Sequence, residues 1–291
     1  MKCRPFFLES SFLSFQGTFE FLELGGIQLA VFGGPEKISP LKAPFGGFYF
    51  PETASRESFI QFLLHLDEIA CLRKWTSIEI RLPSRLYYDG QEAGFDKELQ
   101  SAGFHLIHED LNFHLPADRP VRQHFHKSER WKLNKLLRKG FKFGINHKPD
   151  WSILYPYLLK SRIRKGYSLS MTENELKNSY EAFPERYRTW EVKSPGNELA
   201  AFATSVRVCK DIEYVFYTAD DEKFRNYSPV VLLLAGVYEN LRREAGDCAI
   251  LDLGTASIQG NLLDGLAGFK RALGGMETSK AVLRKVWHKP E

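Results

Sequence analysis

The sequence predicts an α/β (α+β) fold in which helices flank mixed, mostly antiparallel sheets. Three observations carry that expectation. Two helical patterns, 151–164 and 173–183, precede three consecutive strand patterns, 187–193, 199–208 and 212–217. A strand–loop–helix–strand–loop–helix–strand succession then fills 214–287. Near the N-terminus, Gly25-Gly26 joins two apolar-rich runs, 19–24 and 27–32, at the two-residue spacing of a β-hairpin.

The other elements follow in chain order. Residues 43–50 form an extended run interrupted by Gly46-Gly47. Phe59, Phe62, Leu63, Leu66, Ile69 and Ala70 fall on one face of a helix over 55–72. Ile78, Ile80 and Leu82 alternate as a short strand. A helix over 91–102 ends at Gly103, and strands follow at 104–107 and 111–115. Ser128 is placed to cap a helix running to Gly140, where Arg138 and Lys139 suit the negative end of its dipole. Ser228 and Pro229 suit the N-cap and first position of a helix over 230–243, stopped by Gly246. A buried strand follows at 249–254, then a short helix over 262–273 closed by Gly274-Gly275 and a strand over 278–287. The expected organisation is a first domain over 1–120, a basic linker helix and strand over 121–148, and a second domain over 149–291.

Composition narrows the class. At 291 residues the chain has room for two domains, and 43% hydrophobic with 26% charged residues is ordinary for a globular protein. The net charge of +4 does not by itself require a nucleic-acid partner. The basicity is local: Lys127, Arg130, Lys132, Lys135, Arg138, Lys139 and Lys142 are opposed over that stretch by Glu129 alone. The four cysteines, Cys3, Cys71, Cys209 and Cys248, form no close pair, which argues against a zinc site or a disulfide framework and for reduced thiols. Cys71 and Cys248 lie in apolar runs and read as small core residues. No stretch approaches the length of a membrane span, and no leader pattern opens the chain; the expected location is cytoplasmic. No phosphate-loop motif, no Ser-His-Asp arrangement and no convincing metal-ligand spacing is present.

A resemblance is carried by the C-terminal quarter. Ser228-Pro229-Val230-Val231-Leu232-Leu233, Gly246, Leu251-Asp252-Leu253-Gly254, Gly265-Leu266-Ala267-Gly268-Phe269-Lys270 and Gly274-Gly275 stand in an order similar to the Fem-type branch of the GNAT acyltransferase superfamily. Upstream it rests on Ala43-Pro44-Phe45-Gly46-Gly47-Phe48 and on the basic segment near residue 130. The resemblance implies two tandem GNAT-like domains, the first degenerate, and transfer of an acyl group to a primary amine. No permanently bound cofactor is implied; acyl-CoA is the co-substrate expected. The acceptor is a small-molecule or peptide amine. Aminoacyl-tRNA as donor is the alternative, and a catalytically silent binding protein on the same fold is a third reading.

The resemblance also assigns candidate residues. The strand-to-helix loop of CoA-using members carries glycines where this chain has Ser228 and Val230, and Pro229 removes a further amide. Arg225 in that loop either pairs with an anionic donor or is an exposed loop arginine. Lys270, beside Phe269 at the donor, is expected to stabilise a developing oxyanion; the alternative is a solvated helix lysine. Asp252 is either a general base or a carboxylate holding the loop amides of 254–257, the second being favoured. Gly46, Gly47, Phe48 and Tyr217 are candidates for the acceptor cleft, with plain packing as the alternative. Lys132, Lys135 and Arg138 are candidates for a polyanion, against the reading of a solvated basic helix.

Overall fold

A computed structural model describes residues 4–88 and 95–287. In chain order its elements begin with α1 (Ser10–Gln16), β1 (Glu20–Leu24), β2 (Ile27–Val31), β3 (Glu36–Ser39), β4 (Phe48–Tyr49), α2 (Arg56–Leu72), β5 (Ser77–Arg81), α3 (Asp96–Ser101) and β6 (His105–Pro116). Next come α4 (Val121–His124), α5 (Lys127–Arg138), β7 (Lys142–Asn146), α6 (Trp151–Arg164), α7 (Glu173–Ala182), β8 (Tyr187–Lys193), β9 (Leu199–Cys209) and β10 (Ile212–Asp220). The chain continues with α8 (Pro229–Ala245), β11 (Ile250–Thr255), β12 (Ser257–Ile258), β13 (Asn261–Leu262), α9 (Asp264–Ala272) and β14 (Met276–Val286). Among the described residues no helix is long and apolar enough to cross a membrane.

The chain divides into two compact units, and the division is not the expected 1–120, 121–148 and 149–291. The first unit takes residues up to Asn112, Ser257–Leu262 and everything from Thr278; the second takes Phe113–Ala256 and Leu263–Glu277. The reason is strand pairing. β14 pairs antiparallel with β5 from Val282↔Arg81 to Val286↔Ser77, so the latest segment completes the earlier sheet. The basic helix lies within the second unit rather than in a linker.

In the first unit the strand order is β3-β5-β14-β6, with a separate sheet β1-β2-β4. The hairpin at Gly25-Gly26 forms with Leu24 opposite Ile27, and both glycines adopt positive φ. Phenylalanine dominates this core: Phe48, Phe59 and Phe62 are within 1% of full burial, and the Phe59 ring stacks on Phe95 with centroids 4.9 Å apart. A reciprocal capping box between Ser55 and Ser58 starts α2.

In the second unit the order is β6-β11-β10-β9-β8-β7. β9 is buried along nearly its whole length because helices cover both faces. On one face α8 lays down Val231, Leu233, Val237, Tyr238 and Leu241. On the other, α6 and α7 contribute Trp151, Leu154, Leu158 and Leu176 to a cluster with Phe202 and Tyr217.

Several expectations are corrected. The two strands read at 104–107 and 111–115 are the single β6, and the extended run 43–50 shortens to β4. The helix expected over 91–102 is described only as α3; residues 89–94 lie outside the described residues. His126, not Ser128, is the N-cap of α5 and accepts from the Ser128 amide. Cys71 and Cys248 are exposed free thiols rather than core residues. Cys209 is disulfide-bonded, against the expectation of four reduced thiols, since spacing along the chain does not measure distance in the fold.

Candidate active site in the second unit

Two parallel strands that part company build the site. β10 and β11 pair at Ile212↔Ile250, Glu213↔Leu251 and Tyr214↔Asp252, and there the ladder stops. Beyond it β10 stays with β9 as far as Asp220↔Ala201, while β11 runs on to Thr255 without it. Past Tyr214↔Asp252 the two strands are no longer paired, and the Tyr214 side chain lies against β11 at Gly254. A bulge between Val215 and Tyr217 re-aims the β10 side chains at this point.

Tyrosines and one arginine collect on the β10 side. Tyr217 Oη and Ser170 Oγ are 2.6 Å apart. The Arg162 guanidinium lies 5.6 Å from the Tyr217 ring centroid and 5.1 Å from that of Tyr167. It donates to Ser168 O at 3.3 Å, while its Nε is buried with no hydrogen-bond partner among the described residues. Burial depresses the Arg162 pKa below its ordinary value, and the neighbouring Tyr217, Tyr167 and Tyr214 act against that. Burial also pushes the Tyr217 hydroxyl up, with the Ser170 hydrogen bond and the Arg162 charge opposing, so it stays protonated at neutral pH. On the β11 side Gly254 has φ +73°, and a Cβ there would meet Tyr214 Oη at 3.2 Å. Only glycine lets the strand turn this close to the tyrosine.

Lys270, expected to face an oxyanion, is engaged by the backbone of its own chain. Its Nζ donates to Leu253 O at 2.8 Å, Gly254 O at 2.9 Å and Thr255 O at 2.8 Å. An ammonium has three N–H groups, and all three are spent on the end of β11. The side chain is 7% exposed, so it is not a solvated helix lysine either. Asp252 takes the structural role favoured for it: 1% exposed, it accepts the Gly254 amide at 2.9 Å. Lys270 and Asp252 together hold the turn at Gly254 from opposite sides. Phe269, half-buried on α9, closes that helix through its carbonyl to the Leu273 amide.

The loop after β10 is a 3-10 helix, Glu222–Tyr227, instead of an open glycine cradle. Ser228 caps α8 in the left-handed conformation, φ 58°, but its side chain makes no capping bond. The Ser228 amide is spent on Arg225 O at 2.9 Å and the Val231 amide on Ser228 O at 3.0 Å; Pro229 has none. Val230 is half-buried and Arg225 exposed. Against this loop stands α5. Lys135 Nζ lies 5.2 Å from the Tyr227 ring centroid and 5.1 Å from that of Trp131, which is 56% exposed. Lys132 is tied to buried Glu129 at 2.7 Å, whereas Arg138, Arg130 and Lys127 are exposed.

Gly46, Gly47 and Phe48 belong to the first unit, and its packing explains the two glycines. A Cβ on Gly46 would clash with Pro40 and Ser39 Oγ, and one on Gly47 with Ile80 and Leu82. The Gly47 amide donates to Ser39 Oγ at 2.9 Å. Close backbone packing accounts for both.

Solved structures share this architecture. The structure of FemX aligns with TM-score 0.70 at 15% identity, covering 97% of this chain and 92% of that one. L-PGS from Bacillus licheniformis aligns with TM-score 0.62 at 12% identity over 96% of this chain and 87% of the other. A tandem GNAT protein from the clavulanic acid biosynthesis pathway aligns with TM-score 0.56 at 14% identity over 92% and 84%. The fold is the Fem-type tandem GNAT fold. No protein-family description and no curated protein matches the sequence. Arg162 and Ser170 carry no signal in the sequence: Arg162 stands among Lys160, Arg164 and Lys165 at a helix end, where cations are favoured anyway.

Proposed function

We propose that the second unit transfers an aminoacyl group from an aminoacyl-tRNA ester to a primary amine. The observation that carries this reading is the donor loop. The Ser228 and Val231 amides are spent within the chain and Pro229 has none, which leaves fewer amides for a compact pyrophosphate, while the basic face of α5 lies against the same loop. A long polyanion needs such a face; coenzyme A needs the amides. The shared fold supports a transferase scaffold and, at these identities, nothing finer.

In the proposed reaction the acceptor amine attacks the ester carbonyl where β10 and β11 part. A C–N bond forms and the ester C–O bond breaks. The amine gives up a proton to solvent, the departing oxygen takes one from Tyr217, whose hydroxyl burial keeps protonated, and solvent returns a proton to the tyrosinate. Arg162, half-buried and with Nε unused, would hold an anionic group on the acceptor.

The test is direct binding of aminoacyl-tRNA across a salt series, with Arg130→Glu/Arg138→Glu as the comparison. The expected result is saturable binding that weakens steeply with salt, the double reversal weakening it about tenfold or more and flattening the salt slope. Turnover of acetyl-CoA or a longer acyl-CoA without tRNA binding would overturn the donor assignment in favour of the CoA reading.

A further inference from the structure

The first unit contains a cavity that the transferase reading does not use. β14 presents Ser279, Ala281 and Leu283 at alternate positions, hence on one face. All three line a cavity of about 360 Å³. The two small side chains leave this space open, and the aromatic wall around it does not collapse to fill it. Phe48, Phe50, Phe95 and Phe104 form that wall, each at most 6% exposed. Their rings brace one another, with Phe50 and Phe95 centroids 5.1 Å apart. A volume of this size lies at the lower end of the range for small-molecule sites, about 300–1,000 Å³.

The rim gives the cavity a sign. Arg85 and Asp96 form an ion pair at 2.9 Å and neutralise each other. Glu109 also lines the cavity, is exposed, and has no ion-pair partner among the described residues. A lining carboxylate without an ion-pair partner, beside aromatic walls and with His105 as a further titratable lining group, favours a cation, because ring faces attract positive charge and the carboxylate completes the pairing. Leu106, 58% exposed, continues the apolar surface at the mouth. We propose that the first unit binds a small amphipathic organic amine, with its apolar body against Ala281 and the phenylalanines and its ammonium at Glu109. This site is independent of the one in the second unit, so its failure leaves the transferase reading untouched.

The experiment is calorimetric titration of the full chain with phenethylamine and, separately, with 3-phenylpropionate, which has a similar body and opposite charge. Two variants accompany it: Ala281→Leu, which fills the cavity, and Glu109→Gln, an exposed change that spares the fold. The expected result is saturable binding of phenethylamine, weakened about tenfold or more by Ala281→Leu, by several-fold in Glu109→Gln, and little or no binding of the carboxylate. Thermal unfolding of both variants checks that they remain folded. Equal or tighter binding of 3-phenylpropionate would overturn the charge assignment. Absence of phenethylamine binding, or binding indifferent to both variants in folded protein, would overturn the site.

Discussion

Lys270 shows how a single side chain can look catalytic and be something else. Its ammonium gathers three consecutive carbonyls, which converge only because Gly254 turns with positive φ. A buried cation fully satisfied in this way is costly to remove, since each orphaned carbonyl forfeits about 1–3 kcal/mol. Lys270→Met is therefore expected to lower the unfolding free energy by about 3 kcal/mol or more, measured by urea denaturation. Loss of transfer activity with unchanged stability would contradict the assignment. The sequence singles out Lys270 beside Phe269 on a short helix and Asp252 near a strand end, and for Asp252 it favours holding loop amides. It cannot separate a lysine that reaches substrate from one that reaches its own backbone, because the difference is the local path of residues 253–255. Arg162 was illegible for the opposite reason: nothing in its neighbourhood marks it until Tyr167, Tyr214 and Tyr217 come together around it.

At the scale of elements, α8 and β7 depend on one missing side chain. Gly236 sits mid-helix where a Cβ would come within 2.4 Å of the Phe143 ring, which itself stacks on Trp190 at 5.6 Å. Overpacking of this kind costs about 1–3 kcal/mol, more than the roughly 1 kcal/mol that alanine gains over glycine in a helix. Gly236→Ala should thus lower the melting temperature by several degrees. Gly268→Ala, on α9 where a Cβ meets nothing within 4 Å, should raise it slightly. Thermal unfolding of the pair checks both signs. Elements with strong punctuation were legible: the capped helices α6, α7 and α8 and the strands β8 to β11 lie within a few residues of their expected bounds. β6 was read as two strands because His108-Glu109-Asp110 interrupts the apolar pattern, yet Asp110 is drawn in by the Ser257 hydroxyl at 2.7 Å and the Gly260 amide at 3.0 Å. β3 was missed because Glu36-Lys37 reads as polar loop, although Lys37 is 4% exposed and paired with Glu20.

For the whole molecule, the order of elements in sequence and the membership of the compact units diverge. The fold class was legible because it depends on element type, and that survives errors of a few residues. The unit boundaries were not, because no local signal says that β14 pairs with β5, about 200 positions earlier in the chain. A variant ending after Gly275 loses the strand between β5 and β6. The first unit should then lose protection from limited proteolysis while the helices and strands from β7 to β11 keep theirs. Equal protection of residues 4–88 in the truncated and complete chains would refute this.

The late arrival of β14 has a further consequence during translation. The ribosome delivers the first hundred or so residues early, but the sheet they enter stays open at its middle until β14 has been made. The nascent chain must carry two unpaired strand flanks for that interval, and such flanks invite association with other chains. Emergence of β14, rather than of the leading part, is what allows the first unit to close.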